Sequence, residues 1–471
     1  MSPLALIKER IGKERIGSSR SMREADAAVT PCGVTQRSAA LRAADRAPAL
    51  RARLAHHRVS LFFLLAGPGV LVMVAENDGP SMLAYATTGA AYGIGFFIPF
   101  IVVTFAMAFV VQEISARLGI ATGRGHAKLI FDRFGRGWGT FALADLVLSN
   151  MLTLVTEFIA ICAGAQFFGI PAVVAAGFAL VVAVTACAVG RYRTWERIAI
   201  GLAVGNLAFV PAALFARVDP HQIGTAFVTW GGVPHGDGRM AFFTLVMASI
   251  GATVTPWMVF FQQSTVVDKG LTRADLPQAR LDTGLGATIA ALVAIATVVA
   301  ASPLYAHHIK LTDLQNGADF ATALRPFLGN TGASLFALGM IEAGLVAIMT
   351  ISTSSAYAIG EFSGDGASLN LKFSLRHLFH ASAALSAAVA AVIVLIPGAP
   401  LLGITIAVNV TATLLMPPAL IFLLILVNDR RVVGDLVNSW HANVAAWSVV
   451  AGICAVGFFY TLVSIFPNLL K

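Results

Sequence analysis

The chain has 471 residues, 57% of them hydrophobic and 12% charged, with a mean hydropathy of +0.80. Soluble domains carry about 25% charged residues, so a chain of two or three soluble domains, which the length alone would suit, is excluded. The net charge of +8 belongs to the start of the chain: residues 1–58 hold 12 Lys and Arg against 5 Asp and Glu, and the rest is balanced to within one charge.

Residues 1–58 contain no apolar run long enough for a signal peptide and read as a basic, disordered cytoplasmic tail. Residues 59–471 read as one transmembrane domain. Runs long enough to cross a hydrocarbon core of about 30 Å are expected at 60–88, 94–118, 138–167, 170–189, 195–216, 239–264, 280–303, 331–360, 374–397, 400–427 and 440–465. The runs are apolar throughout rather than alternating, which predicts helices and not a barrel. The fold class is therefore an all-α integral membrane protein of about 11 helices. Loop charge sets its orientation. Arg117, Arg124, Lys128, Arg133 and Arg136 follow span 2, and Arg191, Arg193 and Arg197 follow span 4. Lys269, Arg273 and Arg280 follow span 6, Lys372 and Arg376 span 8, and Arg430 and Arg431 span 10. The opposite loops are sparsely charged, with Lys310 and Arg325 after span 7, which places the N-terminus in the cytoplasm.

Two spans are interrupted. Span 1 carries Glu76-Asn77-Asp78-Gly79-Pro80 at its middle, and span 6 carries Gly251 and Pro256 near its centre. Proline removes a backbone donor and clashes with the preceding turn, so both helices should unwind. Unwound backbone at membrane depth occurs where it lines a cavity or is buried in protein. Breaks five spans apart are the pattern of a five-plus-five inverted repeat, here about 60–216 and 239–427, with an extra helix at 440–465 and the binding site at the repeat interface.

Ionisable residues within spans are functional candidates by default. Asp78, beside Gly-Pro, leads. Glu157 in span 3 reads either as a proton or ion site or as an internal polar contact, and Glu342 in span 8 and Asp145 in span 3 follow. Glu76 would face away from Asp78 on a continuous helix, but unwinding lets it turn inward. Asn409 in span 10 reads as a helix–helix contact or a ligand, and Gln262 and Gln263 as helix–helix contacts. Cys32, Cys162, Cys187 and Cys454 form no CxxC pair and suggest neither zinc nor a disulfide. With no HExxH or GxSxG motif, and no third ligand beside His307-His308, nothing indicates an enzyme.

Several separated motifs resemble the Nramp family of divalent-metal transporters: Gly67-Pro68-Gly69 leading to Asp78-Gly79-Pro80-Ser81, Gly251-Ala252-Thr253-Val254-Thr255-Pro256-Trp257, ARLGIATGRG at 116–125, ARLDT at 279–283 and PPALIFLLILVNDRRVVGD at 417–435. The resemblance covers about residues 60–465 and implies a LeuT-type fold with discontinuous helices 1 and 6. It implies a metal site of Asp78, Ser81, Thr255 and Asn409, the carbonyls of Ala75 and Ala252, and added charge from Glu76. The family's soft methionine falls on Thr255 and its asparagine on Ser81. An all-oxygen, roomier pocket suits a partly hydrated Mg²⁺. The family's span 6 histidines fall on Trp257 and Gln262, and its span 3 aspartate on Leu154, while Glu157 is kept. TPWMVFFQQSTVVDKG at 255–270 is most like the Nramp-related magnesium transporter branch.

The expectation is a secondary transporter in a bacterial inner membrane, moving Mg²⁺ by alternating access without tight proton coupling. The alternatives are a proton-coupled Mn²⁺ or Fe²⁺ symporter, with Glu157 as proton site, and a cationic organic-solute symporter of the same fold. The expected partners are the divalent cation, as substrate rather than cofactor, and the bilayer. No nucleic acid, resident cofactor or obligate protein partner is expected.

Overall fold

The computed structural model describes residues 67–466 except 190, 235–237, 310–313, 315, 316, 365–367 and 371–376. The basic stretch 1–58, Cys32, Lys310, Lys372, Arg376 and the first residues of span 1 lie outside these, as does the side chain of Cys187.

Among the described residues every regular element is a helix. The first span is α1 (Pro68–Ala75) and α2 (Gly79–Tyr92), followed by α3 (Phe97–Thr122), α4 (His126–Phe167) and α5 (Ala172–Ala188). The fifth span is α6 (Tyr192–Ala203) joined to α7 (Phe209–Phe215) through a 3₁₀ turn, Val204–Ala208. A short helix α8 (Pro220–Thr229), which the apolar pattern does not signal, precedes the sixth span, α9 (Arg239–Gly251) and α10 (Pro256–Lys269). Then come α11 (Leu276–Ala306), α12 (Gly317–Ser363), α13 (His377–Val394), α14 (Leu401–Asn428), the short α15 (Arg430–Val433) and α16 (Trp440–Ile465). The eleven expected spans thus match helices, eight of them long and apolar enough to cross a membrane unaided among the described residues. Outward-facing Val173, Phe178, Leu214, Val392 and Phe458 are exposed, the surface expected of a protein whose solvent is lipid.

Both halves repeat the same irregularities. The breaks fall between α1 and α2 and between α9 and α10, as the prolines predict. A second pair was not anticipated. The third span bends at Gly135 (φ 85°, ψ 179°) and the eighth at Gly329 (φ 68°, ψ 177°). Only glycine adopts such a conformation without strain. Spans 3 and 8 are therefore longer than their apolar cores, each entered through a helical segment at an angle: His126 onward in α4, Gly317 onward in α12. Equivalent breaks and equivalent bends, each five spans apart, define the inverted repeat.

The broken spans sit at the centre. Every residue of α1 is buried, and α1 and α2 pack on α11, while α4 and α12 form the most extensive helix pair. α16 lies at the periphery, with most of its apolar stretch unburied. The charged loops meet at one end. Arg133 in α4 pairs with Asp429 after α14, Arg280 in α11 with Glu113 in α3, and Lys269 at the end of α10 with Glu196 in α6. Arg117 in α3 pairs with Glu113 and donates to Asn438 Oδ1.

Candidate metal site at the two helix breaks

The break in the first span is short. Glu76 ends α1 in helical conformation (φ −73°, ψ −21°). Asp78 is extended (φ −76°, ψ 173°) and N-caps α2, its Oδ1 accepting from Ser81 N–H at 2.9 Å. Such a cap satisfies one of the donors a helix start leaves free. The Ser81 hydroxyl faces the same carboxyl. The next free donor, Gly79 N–H, goes to Glu157 Oε2 at 3.0 Å. A Cβ on Gly79 would lie 2.1 Å from the Cβ of Ala160, so glycine is what lets α2 start against α4.

Asn77 pins the break on both sides. Its Nδ2 donates to Ala290 O in α11 at 2.8 Å, and its own carbonyl accepts from Asn206 Nδ2 at 3.0 Å. Asn409 of α14 closes the third side, donating from Nδ2 to Pro80 O at 3.1 Å.

The second break spans Ala252 to Thr255. Tyr85 of α2 reaches across to it, its hydroxyl donating to Ala252 O at 3.0 Å and lying 2.7 Å from Thr253 Oγ1. Thr253 in turn donates to Thr104 Oγ1 or to Ser249 O. A Cβ on Gly251 would stand 1.8 Å from the Asn409 carbonyl oxygen, so α14 touches both breaks. The two breaks join directly: Thr255 Oγ1 donates to Glu76 Oε1 at 2.8 Å.

The expected site residues are thus brought together. Asp78, Ser81, Glu76, Thr255, Asn409, Ala75 and Ala252 are all buried around the facing breaks. Glu76 turns inward, and Glu157 joins from α4. Two roles are more occupied than expected: the Ala252 carbonyl already accepts the Tyr85 hydroxyl, and the Thr255 hydroxyl is committed to Glu76. Tyr85, Asn77 and Asn206 were not singled out from the sequence. Asn206 is a lone amide in an apolar span, the same signal that marked Asn409.

The electrostatics are one-sided. The carboxyls of Glu76, Asp78 and Glu157 act on one another, and among the described residues no basic side chain is among the main influences on any of the three. Glu76 Oε2, Glu157 Oε1 and Asn77 Oδ1 have no hydrogen-bond partner. Buried acidic oxygens without donors are costly unless a cation or proton satisfies them. Among the described residues no set of three His, Cys, Asp or Glu side chains forms a ready-made metal cluster. An ion held here would draw on hydroxyl, amide and carbonyl oxygens as well as carboxylates.

Elsewhere, Gln263 makes the expected interhelical contact, with His126 Nδ1 at 3.1 Å, and donates to the loop carbonyl of Arg124 at 2.9 Å, whereas Gln262 Oε1 has no partner. Cys162 and Cys454 are free thiols. His307 stacks on Phe327.

Facing helix breaks in a five-plus-five repeat, with an acidic polar centre, define an integral membrane protein of the LeuT type. The Nramp profile, described as natural resistance-associated macrophage protein-like, matches residues 69–463. The chain belongs to the Nramp family. It is 27% identical over 412 residues to the divalent metal cation transporter MntH of Deinococcus radiodurans, covering 83% of this chain and 87% of that protein. It is 26% identical over 291 residues to MntH of Yersinia enterocolitica, covering 60% of this chain and 68% of the relative. Among solved structures it superposes on the Eremococcus coleocola manganese transporter with a TM-score of 0.68 at 20% identity, over 87% of this chain and 88% of the other. A Na⁺-coupled sialic acid symporter shares the fold more distantly, with a TM-score of 0.51 at 14% identity over 84% and 89%.

Proposed function

We propose that this chain carries divalent metal cations across a bacterial plasma membrane by alternating access, with its N-terminus in the cytoplasm. The observation that carries the reading is the trio of buried carboxyls, Glu76, Asp78 and Glu157, gathered at two helix breaks with no basic partner. Such a centre attracts cations and repels anions. Asp78 neutralises and orients the ion, Glu76 adds charge, and Ser81, Thr255, Asn409 and the carbonyls of Ala75 and Ala252 complete the oxygen donors directly or through the ion's waters. Movement of the broken spans against α4 and α12 then exposes the site to either side.

Manganese is the leading substrate, because related proteins are divalent metal cation transporters and a manganese transporter. This is the proton-coupled Mn²⁺ or Fe²⁺ alternative of the sequence analysis, with Glu157 as proton site. Magnesium is the second reading, and one specific observation favours it: a threonine hydroxyl, not a sulfur, stands at the second break, and hard oxygen donors suit a hard cation. The sulfur of Met258 accepts from Thr255 N–H at 3.4 Å and is turned to the backbone.

Proteoliposomes loaded with a pH indicator test the proposal. Mn²⁺ uptake with internal acidification supports the proton-coupled reading, and Mg²⁺ uptake without it supports the uncoupled one. Uptake of neither metal, or uptake undiminished in Asp78→Ala, would sink the site assignment.

A further inference from the structure

We propose that Glu342, in α12, is a proton site of this protein, tied to the break in the first span through Asn206 and Asn77. Both carboxylate oxygens of Glu342 are enclosed and have no hydrogen-bond partner. Its polar neighbour is the amide of Asn206, in the 3₁₀ turn of the fifth span. Asn206 is buried, and its Oδ1 also lacks a partner. The cluster is therefore rich in acceptors and short of donors, which is what an added proton corrects: one O–H bond forms on a Glu342 oxygen and supplies the missing donor.

The stem of Glu342, itself half-buried, packs against the fifth span. The backbone of Gly205 lies so close that a Cβ there would stand 2.5 Å from Glu342 Cγ and 3.2 Å from its Cδ. Among the described residues, the group acting on the carboxyl besides burial is the Asn206 side chain. Glu157 and Asp145 of α4, Tyr85 of α2 and Glu196 of α6 are not among the groups that act on it.

The link to transport is the Asn206 amide. Its Nδ2 donates to the carbonyl of Asn77, the residue between Glu76 and Asp78. An ionised Glu342 competes for the amide hydrogens of Asn206. A protonated Glu342 no longer competes and itself offers a hydrogen to the Asn206 side chain. The protonation state of Glu342 thus biases how firmly the break is held, and the proton route gains a carboxyl in α12 besides Glu157 in α4. This coupling rests on the transport reading above; occupancy of the site does not.

The experiment has two arms. Potentiometric titration of the purified full chain, compared with Glu342→Gln, is expected to show one fewer titrating proton in the variant. Mn²⁺ uptake followed against external pH is expected to flatten in Glu342→Gln and to recover its pH dependence in Glu342→Asp. Asn206→Ala is expected to keep the extra proton in titration and lose the pH dependence of uptake. Coincident titration curves would overturn the proposal, as would an unchanged pH profile in a Glu342→Gln protein that still transports. Absence of metal uptake in the unaltered protein, with the titration difference intact, would instead count against the transport reading.

Discussion

Asp282 caps a helix that is not its own: its Oδ1 accepts the backbone N–H of Gly67 at 2.7 Å. The same carboxylate also accepts from Gly69 at 2.8 Å and Val70 at 3.2 Å. Gly67 is the N-cap position of α1 and has no side chain to serve the helix start, so a residue of α11 supplies the cap. The negative charge also suits the positive end of the helix dipole. Lys269, paired with Glu196 at 2.7 Å, lies close to the same point. The end of α1 is thereby fastened to α11, α10 and α6.

Replacing Asp282 with Ala leaves three buried N–H groups without their acceptor. Charge-assisted hydrogen bonds are each worth about 1.5–3 kcal/mol, so the α1 end should loosen. In a cysteine-free background, Val72→Cys should react with a water-soluble maleimide many times faster when Asp282→Ala is added. Equal labelling rates would show that the cap does not hold α1.

Thr255 should tune which metal binds. Thr255→Met introduces a soft sulfur at the second break and removes the donor to Glu76 Oε1. Soft ligands favour Mn²⁺ relative to Mg²⁺, so competition binding should shift toward Mn²⁺. Thr255→Val, which removes only the donor, should weaken both metals or the fold alike. An unchanged Mg²⁺/Mn²⁺ ratio in Thr255→Met would place the metal away from this side chain.

Gly251 should tolerate no side chain. Its Cβ would meet the Asn409 carbonyl oxygen at 1.8 Å and Thr413 Oγ1 at 2.7 Å. Overpacking of this kind costs about 1–3 kcal/mol or more, and here it pushes away the residue that also holds Pro80 O. Gly251→Ala should lower the melting temperature and weaken metal binding together. Gly403→Ala, in the same α14 but with its nearest neighbour atom at 3.9 Å, is the control and should be neutral or slightly stabilising.

His126 should make stability depend on acid. It precedes the membrane-spanning segment Arg136–Phe167 and is fully buried. Burial pushes its imidazole down to about 4 from an ordinary 6.5, against the opposing pull of the Gln263 side chain. Between these values the unfolded chain binds the proton and the folded chain does not, so stability is complete above pH 6.5 and falls as pH drops toward 4. The loss is about 3 kcal/mol at 1.36 kcal/mol per unit. Thermal unfolding at pH 7 and 4.5 should separate by less in His126→Gln than in the unaltered chain. Equal separations would assign the acid sensitivity to other groups.

The sequence by itself determined the spans, the two breaks and the acidic residue, Asp78, that stands at the first of them. Hydrophobic length fixes a span, and Pro80 and Pro256 fix where a helix must open, because both effects are local. Glu342 also stood out, as a charge in an apolar run. What lay beyond reach depended on which surfaces meet. That Glu76 faces Thr255, that Asn206 holds the carbonyl of Asn77, and that Asp282 caps α1 are contacts between residues 179, 129 and 215 positions apart. No periodicity within one helix encodes them. The bends at Gly135 and Gly329 were hidden for a different reason: a glycine in an apolar chain holding 43 of them carries no mark of its backbone angles until the fold imposes them. The helices follow from local chemistry, whereas the acidic centre exists because the fold packs two broken helices face to face.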